Sequence, residues 1–291
     1  FIAGEWEESS GNNTIFANIF NGNTEAAVAI TSSIHDFVLS NSITQSQIGI
    51  DLRHAAHNNS IIANTLQDNM IDISFSGSHN NTFYHNNFIT DGRNLANSPA
   101  DSIWDNGYPS GGNYWSSYDG LDTNSDGIGD TPYIIDANNT DRYPLMGMFS
   151  EFNVSIPYGD TENVTIISNS TVSNPSLLIW LSSPHNGLQP GQPFIQFFAT
   201  GENGSAGFCR LMIPRTVLNS SSYIVLVDLQ PVSATELPFS NSTHVYLYFT
   251  YTHSTHEVIV TIPEFASCLM LSIFMTTTLL TVIVYRRKHP V

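Results

Sequence analysis

The sequence predicts an all-β chain: a right-handed parallel β-helix, then an immunoglobulin-like β-sandwich, then a single C-terminal transmembrane helix. Three observations predict it. A short pattern recurs every 23 residues and brings Asn18, Asn41, Asn64 and Asn87 into register. Seven short alternating runs fill residues 151–262. Twenty uncharged residues, 266–285, stand directly before the basic cluster Arg286, Arg287 and Lys288.

The repeat comes first in the chain. Ile15, Val38, Ile61 and Tyr84 align before the four asparagines, and Phe20, Ile43, Leu66 and Ile89 align after them. A unit of this length is too small to bury a core alone and depends on its neighbours, which makes a stacked architecture. Each copy holds a β-branched or aromatic run, a polar turn and a second alternating run: Val28 and Ile30, Ile50 and Leu52, Ile73 and Phe75. Alternation at period two is strand patterning, and no window offers the three-and-four spacing of a helical repeat. Coils of this size stack at about 4.8 Å, so four rise only about 19 Å. The aligned asparagines are expected to form a ladder, each amide bonding its copy above and below. Residues 1–95 are thus assigned to β-helix rungs, with further rungs expected before Phe1, since the chain starts without Met or a signal peptide.

Residues 96–150 read as a cap rich in Gly, Asn, Asp and aromatic side chains. Trp104, Tyr114, Trp115, Tyr118, Tyr133 and Tyr143 are expected to pack over the last rung; the competing reading makes Trp104, Tyr114, Trp115 and Tyr118 a platform for stacking on sugars. Within the cap, Asp122, Asn124, Asp126, Gly127 and Asp130 set oxygen side chains at alternate positions with Gly at the sharp turn. A hard cation needs six to eight oxygens at about 2.4 Å. The expected ion is a structural calcium held by Asp122, Asn124, Asp126, the Ile128 carbonyl and Asp130, with Asp119 or Asp136 completing the set. A helix-loop-helix hand would need Glu at the twelfth position, where Tyr133 stands. The loop is similar instead to the calcium loops of dockerin or thrombospondin-type repeats.

Beyond the cap, residues 151–262 predict seven or eight short strands separated by turns such as Asn186-Gly187, which fits the sandwich. The run 266–285 is about 30 Å long as a helix, the thickness of a bilayer's hydrocarbon core. Basic residues just past a span stay in the cytoplasm, so everything before Pro263 is expected outside the cell, with 263–291 as the anchor. Ten Asn sequons, six of them in 151–262, fit glycosylation of an exported domain. With 25 acidic residues against 8 basic, three of the eight in the C-terminal cluster, residues 1–285 lack the clustered cations that phosphate binding demands, which argues against nucleic acid as a partner. Cys209 and Cys268, the latter inside the apolar run, make no disulfide framework.

The block GGNYWSSYDGLDTNSDGIGDTPYIIDANNTDRYPLM, 111–146, following NN-type rungs, resembles the C-terminal end of NosD-type β-helix proteins and of the wider carbohydrate-binding and sugar-hydrolase repeat class. The resemblance implies a β-helix and an exported location. It transfers no single function, because this scaffold hosts lyases, hydrolases, adhesins and a copper-site assembly factor. IPEF at 262–265 resembles the Pro-Glu-Phe tails of archaeal surface proteins, and GENGSAGFCRLMIP, 201–214, resembles a domain placed before such anchors, where it serves as a stalk.

Catalysis on a β-helix would set carboxylates on neighbouring rungs beside a cation. The candidates are Asp36, Asp51, Asp68, Asp72, Asp91 and Arg53. Asp51 and Asp72 stand 21 apart and fall out of register, whereas Asp68 and Asp91 stand 23 apart and pass the spacing test. A copper site would use His35, His57 and His79, spaced by 22, which requires a one-residue slip from the 23-residue frame. The expected function is a membrane-anchored surface module that contacts glycans or neighbouring surface proteins. The alternatives are a polysaccharide lyase or hydrolase and a copper-handling protein.

Overall fold

The computed structural model describes residues 2–3, 10–89, 93–97, 101–156, 160–179 and 190–263. The described residues are all β, with two units joined at Met148.

The first unit is a parallel β-helix with three faces. Face one stacks Thr14–Phe16, Phe37–Leu39, Ser60–Ile62 and Thr82–Tyr84. Face two stacks Ile19–Asn21, Ser42–Thr44, Thr65–Gln67, Asn87–Ile89 and Tyr114–Trp115. Face three stacks Ile2–Ala3, Ala26–Thr31, Ile48–Arg53, Ile71–Ser76 and Arg93–Ala96. The expected pairs on face three hold: Val28 with Ile50 and Ile73, and Ile30 with Leu52 and Phe75.

Each corner between faces is made by two residues. One adopts a left-handed backbone, as Ala17 (φ 54°), Ser40 (53°) and Ala63 (57°) do, and the next turns its side chain inward. The turned residue is the ladder asparagine. Because a single left-handed residue turns the chain sharply, faces one and two need strands of only three residues, while face three carries strands of six.

The third coil corrects the frame. Its step is 22 rather than 23: Thr65 pairs with Ser42 below and Asn87 above. The ladder therefore runs Asn18, Asn41, Asn64, Asn86, and the inward columns continue into Phe83 and Phe88 rather than Tyr84 and Ile89. Left-handed His85 (φ 59°) takes the corner, so Asn86 turns inward and Asn87 begins the next strand.

At the C-terminal end the aliphatic columns become aromatic. Trp104 stacks on Phe83 with centroids 4.3 Å apart, Trp115 on Phe88 at 4.2 Å, and Tyr133 on Trp115 at 4.7 Å. Trp104 and Trp115 are fully buried, as capping requires. Large flat rings cover the open end of a solenoid with few side chains, and each buries about 150–250 Å².

The second unit has two antiparallel five-stranded sheets that share one core. The front sheet contains Met148–Ser155, Thr161–Ser168, Ala206–Pro214, His244–Thr252 and Ala234–Glu236. The back sheet contains Thr171–Ile179, Pro193–Thr200, Thr255–Thr261, Ile224–Val227 and Gln230–Val232. Ile166, Leu211 and Leu247 of the front sheet meet Ile195, Phe197 and Val258 of the back sheet in that core. The first strand, Met148–Ser155, crosses the boundary expected at 150. The expected span 266–285 and the Asn186-Gly187 turn lie outside the described residues, among which no helix is long and apolar enough to cross a membrane.

Candidate functional site

The ladder that organises the β-helix ends in the cap. Asn18, Asn41, Asn64 and Asn86 each donate Nδ2 to Oδ1 of the next coil's asparagine, at 3.2, 2.9, 3.0 and 3.0 Å, the last acceptor being Asn113. The backbone N–H of each of the same residues donates to that oxygen too, so every rung is bonded twice. All the donors point the same way along the axis. The chain of amides finishes on an acceptor, Asp141, whose Oδ2 takes Asn113 N–H at 2.7 Å and Trp115 Nε1–H at 2.9 Å. Burial pushes the Asp141 pKa up to about 7 against those donors. Gly112 is required beside it, because a Cβ there would lie 1.9 Å from Asp141 Oδ1.

The Asp-rich loop sits next in the cap. Asp122 accepts the Asp126 and Gly127 N–H groups at 3.0 and 2.8 Å, and Asp126 accepts Ile128 N–H at 2.9 Å, Asn124 Nδ2 at 3.0 Å and the Tyr108 hydroxyl at 2.9 Å. Asp130 accepts Thr123 N–H and its hydroxyl, at 2.8 and 2.5 Å, which holds its pKa below the usual carboxylate range. Ile128 is buried and its side chain packs on Leu145 and Phe149. Asp136 is engaged elsewhere, accepting the Asn138 and Asn139 N–H groups at 2.8 and 3.0 Å. Among the described residues no group of three or more His, Cys, Asp or Glu side chains is arranged to hold a metal ion.

The loop lies against the second unit. Arg210, on the front sheet, is 3 % exposed; it stacks its guanidinium over Phe239 and Tyr246, at 5.2 and 5.4 Å, and donates Nη2–H to the Pro109 carbonyl. Burial lowers its pKa, while the carboxylates of Asp126 and Asp122 oppose that shift across the interface. Gly127 (φ 81°) leaves the space that Arg210 fills, since an added Cβ would meet its Cδ at 3.1 Å. Beside it, His85 stacks on Phe149 at 4.2 Å and donates Nε2–H to Ser110 O at 3.0 Å; burial lowers its pKa to about 4, so the ring is neutral. Asn87 completes the seam by bonding the Phe149 backbone in both directions, at 2.7 and 2.9 Å. The strand patterning had no means of showing this seam, because its partners lie 62 to 101 positions apart in sequence.

The sequence candidates fall in several places. Asp68 is an exposed corner residue (φ 54°) just past Gln67, which pairs with Ile89; Asp91 lies outside the described residues. Asp51 is buried and paired with Arg53, Asp36 belongs to a second ladder, and Asp72 is enclosed with its Oδ1 accepting Asn69 Nδ2 at 3.0 Å. Of the histidines, His57 and His79 pair in adjacent coils and stack with centroids 4.9 Å apart. His35 does not join them, because Ile34 is the residue level with His57. Asp101 Oδ2 lies 3.6 Å from His79 Nδ1.

The aromatic candidates belong to the cap. Trp104 and Trp115 offer no face to a sugar, because both are enclosed by other rings, which corrects the platform reading for them. Tyr114 packs half-buried against the Ile128 and Leu145 cluster. Tyr118, half-buried as well, donates its hydroxyl to Thr131 O at 2.6 Å and runs over Gly120 and Gly129, where any Cβ would strike its hydroxyl at 2.1 Å.

Comparison with known families matches residues 3–120 to the family model described as periplasmic copper-binding protein (NosD). No curated protein and no solved structure matches the chain.

Proposed function

We propose, from the match of residues 3–120 to the NosD family model, that this chain is a non-catalytic surface module that binds carbohydrate or adheres to neighbouring surface proteins. The observation that carries the proposal is the seam around Arg210, where the β-helix cap is clasped to the second unit by the Arg210 bond to the Pro109 carbonyl and the edge contact of Tyr108 with Phe239. The second unit meets the solenoid along the corner of Ser40, Ala63 and His85. The second unit then acts as an immunoglobulin-like stalk, and the run 266–285 with its basic tail is the membrane anchor. Exposed sequon asparagines such as Asn153, Asn163 and Asn203 support glycosylation of an exterior surface. Calcium, when bound, would take Asp122, Asn124, Asp126, the Ile128 carbonyl and Asp130, and would stiffen the loop that faces Arg210.

The carboxylates support binding over catalysis. Asp51 is paired with Arg53, Asp72 is enclosed, and Asp68 stands on an exposed corner. A glycan array probed with the full chain in detergent, together with an assay for new reducing ends, tests the reading. Binding without release of reducing ends is expected. Release that disappears in Asp68→Asn would assign the chain to the lyases or hydrolases instead.

One observation favours a second reading, copper handling: the parallel His57 and His79 rings with Asp101 beside them. Titration with copper, compared between the native chain and His57→Ala/His79→Ala, decides it. A copper affinity that falls tenfold or more in the double variant would support that reading.

A further inference from the structure

The second unit has two ends, and the chain passes through both. It enters from the cap at Met148, beside Ser168, and it leaves toward the apolar run from Thr261, beside Phe194 and Ile224. The exit end gathers apolar side chains that nothing described covers. Ile179 is 56 % exposed and Leu178 40 %, on the strand that pairs with Pro193 and Phe194. Between them and the front sheet lies a cleft of about 420 Å³ lined by Ile156, Leu177, Leu178, Ile179, Pro193 and Val217.

The distance to the proposed anchor is short. Five steps of chain separate Thr261 from position 266, and an extended chain spans at most about 3.5 Å per residue, so the gap is about 18 Å or less. The polar zone of a bilayer is itself several ångströms deep on each side of a hydrocarbon core of about 30 Å. An apolar cleft at the exit end is therefore within reach of that zone, whereas the β-helix is clasped to the second unit and joined at the entry end.

We propose that Leu178, Ile179 and the cleft beneath them form a foot that rests in the interfacial zone of the lipid bilayer. The proposal rests on the anchoring of 266–285. Its driving force is burial of apolar surface, as for other amphipathic elements that lie in the interface. Electrostatic attraction contributes nothing to it, because the chain carries a net charge of −17 and Arg215 near this end is already bonded to Glu236 and Asn241. Contact with the bilayer at this end also fixes the tilt of the two-sheet unit, since a tether alone would let it swivel.

Photocrosslinking of the full chain in phosphatidylcholine proteoliposomes tests the foot. Three variants carry p-benzoylphenylalanine in place of Ile179, of Phe274 inside the apolar run, or of Glu202 near the opposite end of the unit. Ile179 is exposed enough to be replaced without disturbing the core. Lipid adducts are expected from positions 179 and 274, each at least ten times the yield from 202, with the yield at 179 unchanged by added salt. Adducts from 274 with none above background from 179 would overturn the foot and leave the anchor standing. Protein-to-protein adducts from 179 would overturn it in favour of a second copy, and no adduct from 274 would remove the anchor and the foot together.

Discussion

Asp36 stands where the second ladder wants an amide. Asn13 donates both N–H and Nδ2 to its Oδ1, at 2.9 and 2.8 Å, and its own N–H reaches Asn59 Oδ1 at 2.8 Å, yet its Oδ2 is buried without a hydrogen-bond partner. In the neighbouring ladder that position carries an Nδ2 donor, as Asn41 shows. Leaving a buried polar atom unsatisfied costs about 1–3 kcal/mol. Asp36→Asn is therefore expected to raise stability by about 1–2 kcal/mol in chemical denaturation, and a loss of stability would show that the carboxylate is retained for an interaction the ladder does not account for. The same logic explains Asp141 at the other end: a ladder with one-way donors can stop on an aspartate, but an aspartate inside it breaks the relay.

At the scale of elements, the β-helix was legible because its signal is periodic. Face three followed the sequence in every pair, since Val28, Ile50 and Ile73 are isolated apolar residues that offer one alignment only. The third coil was misread because Asn86 and Asn87 are chemically identical neighbours, and which of them turns inward depends on His85 adopting a left-handed backbone. That one-residue slip also bears on the candidate histidines, because it stacks His57 on His79. The seven runs of the second unit corresponded to strands within a few residues, while the short strands Gln230–Val232 and Ala234–Glu236 carried too little alternation to be seen. The Asp-rich loop gives a prediction at this scale. If its oxygens exchange the N–H groups of Asp126, Gly127 and Ile128 for calcium, thermal unfolding of the native chain shifts upward with the ion. Saturation at about a hundred times the dissociation constant corresponds to about 2.7 kcal/mol, and the shift disappears in Asp126→Ala. An unchanged melting temperature in millimolar calcium would leave the loop a hydrogen-bonded turn.

For the whole molecule, the buried carboxyl groups set the dependence on pH. Burial raises the pKa of Asp72 to about 7, with the Asn69 amide opposing, and raises Asp141 to about 7 against its several N–H donors. The folded chain thus keeps protons that the unfolded chain has released. Stability from these groups is fully present below the ordinary carboxylate pKa, near 4, and is lost as pH rises toward 7. Neutral His85, with its pKa lowered to about 4, works the other way up to about pH 6.5. Two carboxyls outweigh one imidazole, so melting temperature should fall between pH 4.5 and 7.5, and Asp72→Asn should flatten that slope. A melting temperature that rises across the same interval would contradict the assignment.

The seam at Arg210 makes one body of two units that share no strand, and the presentation of the β-helix depends on it. Removing the guanidinium in Arg210→Ala strips two ring contacts and the bond to Pro109, and leaves the loop carboxylates facing a gap. Arg210 makes no ion pair among the described residues, so the cost is that of one charge-assisted hydrogen bond, about 1.5–3 kcal/mol. Scanning calorimetry of the full chain tests the clasp most directly. One transition is predicted for the native protein, with calorimetric and van't Hoff enthalpies equal, resolving into two in Arg210→Ala. Two separate transitions in the native protein would contradict it.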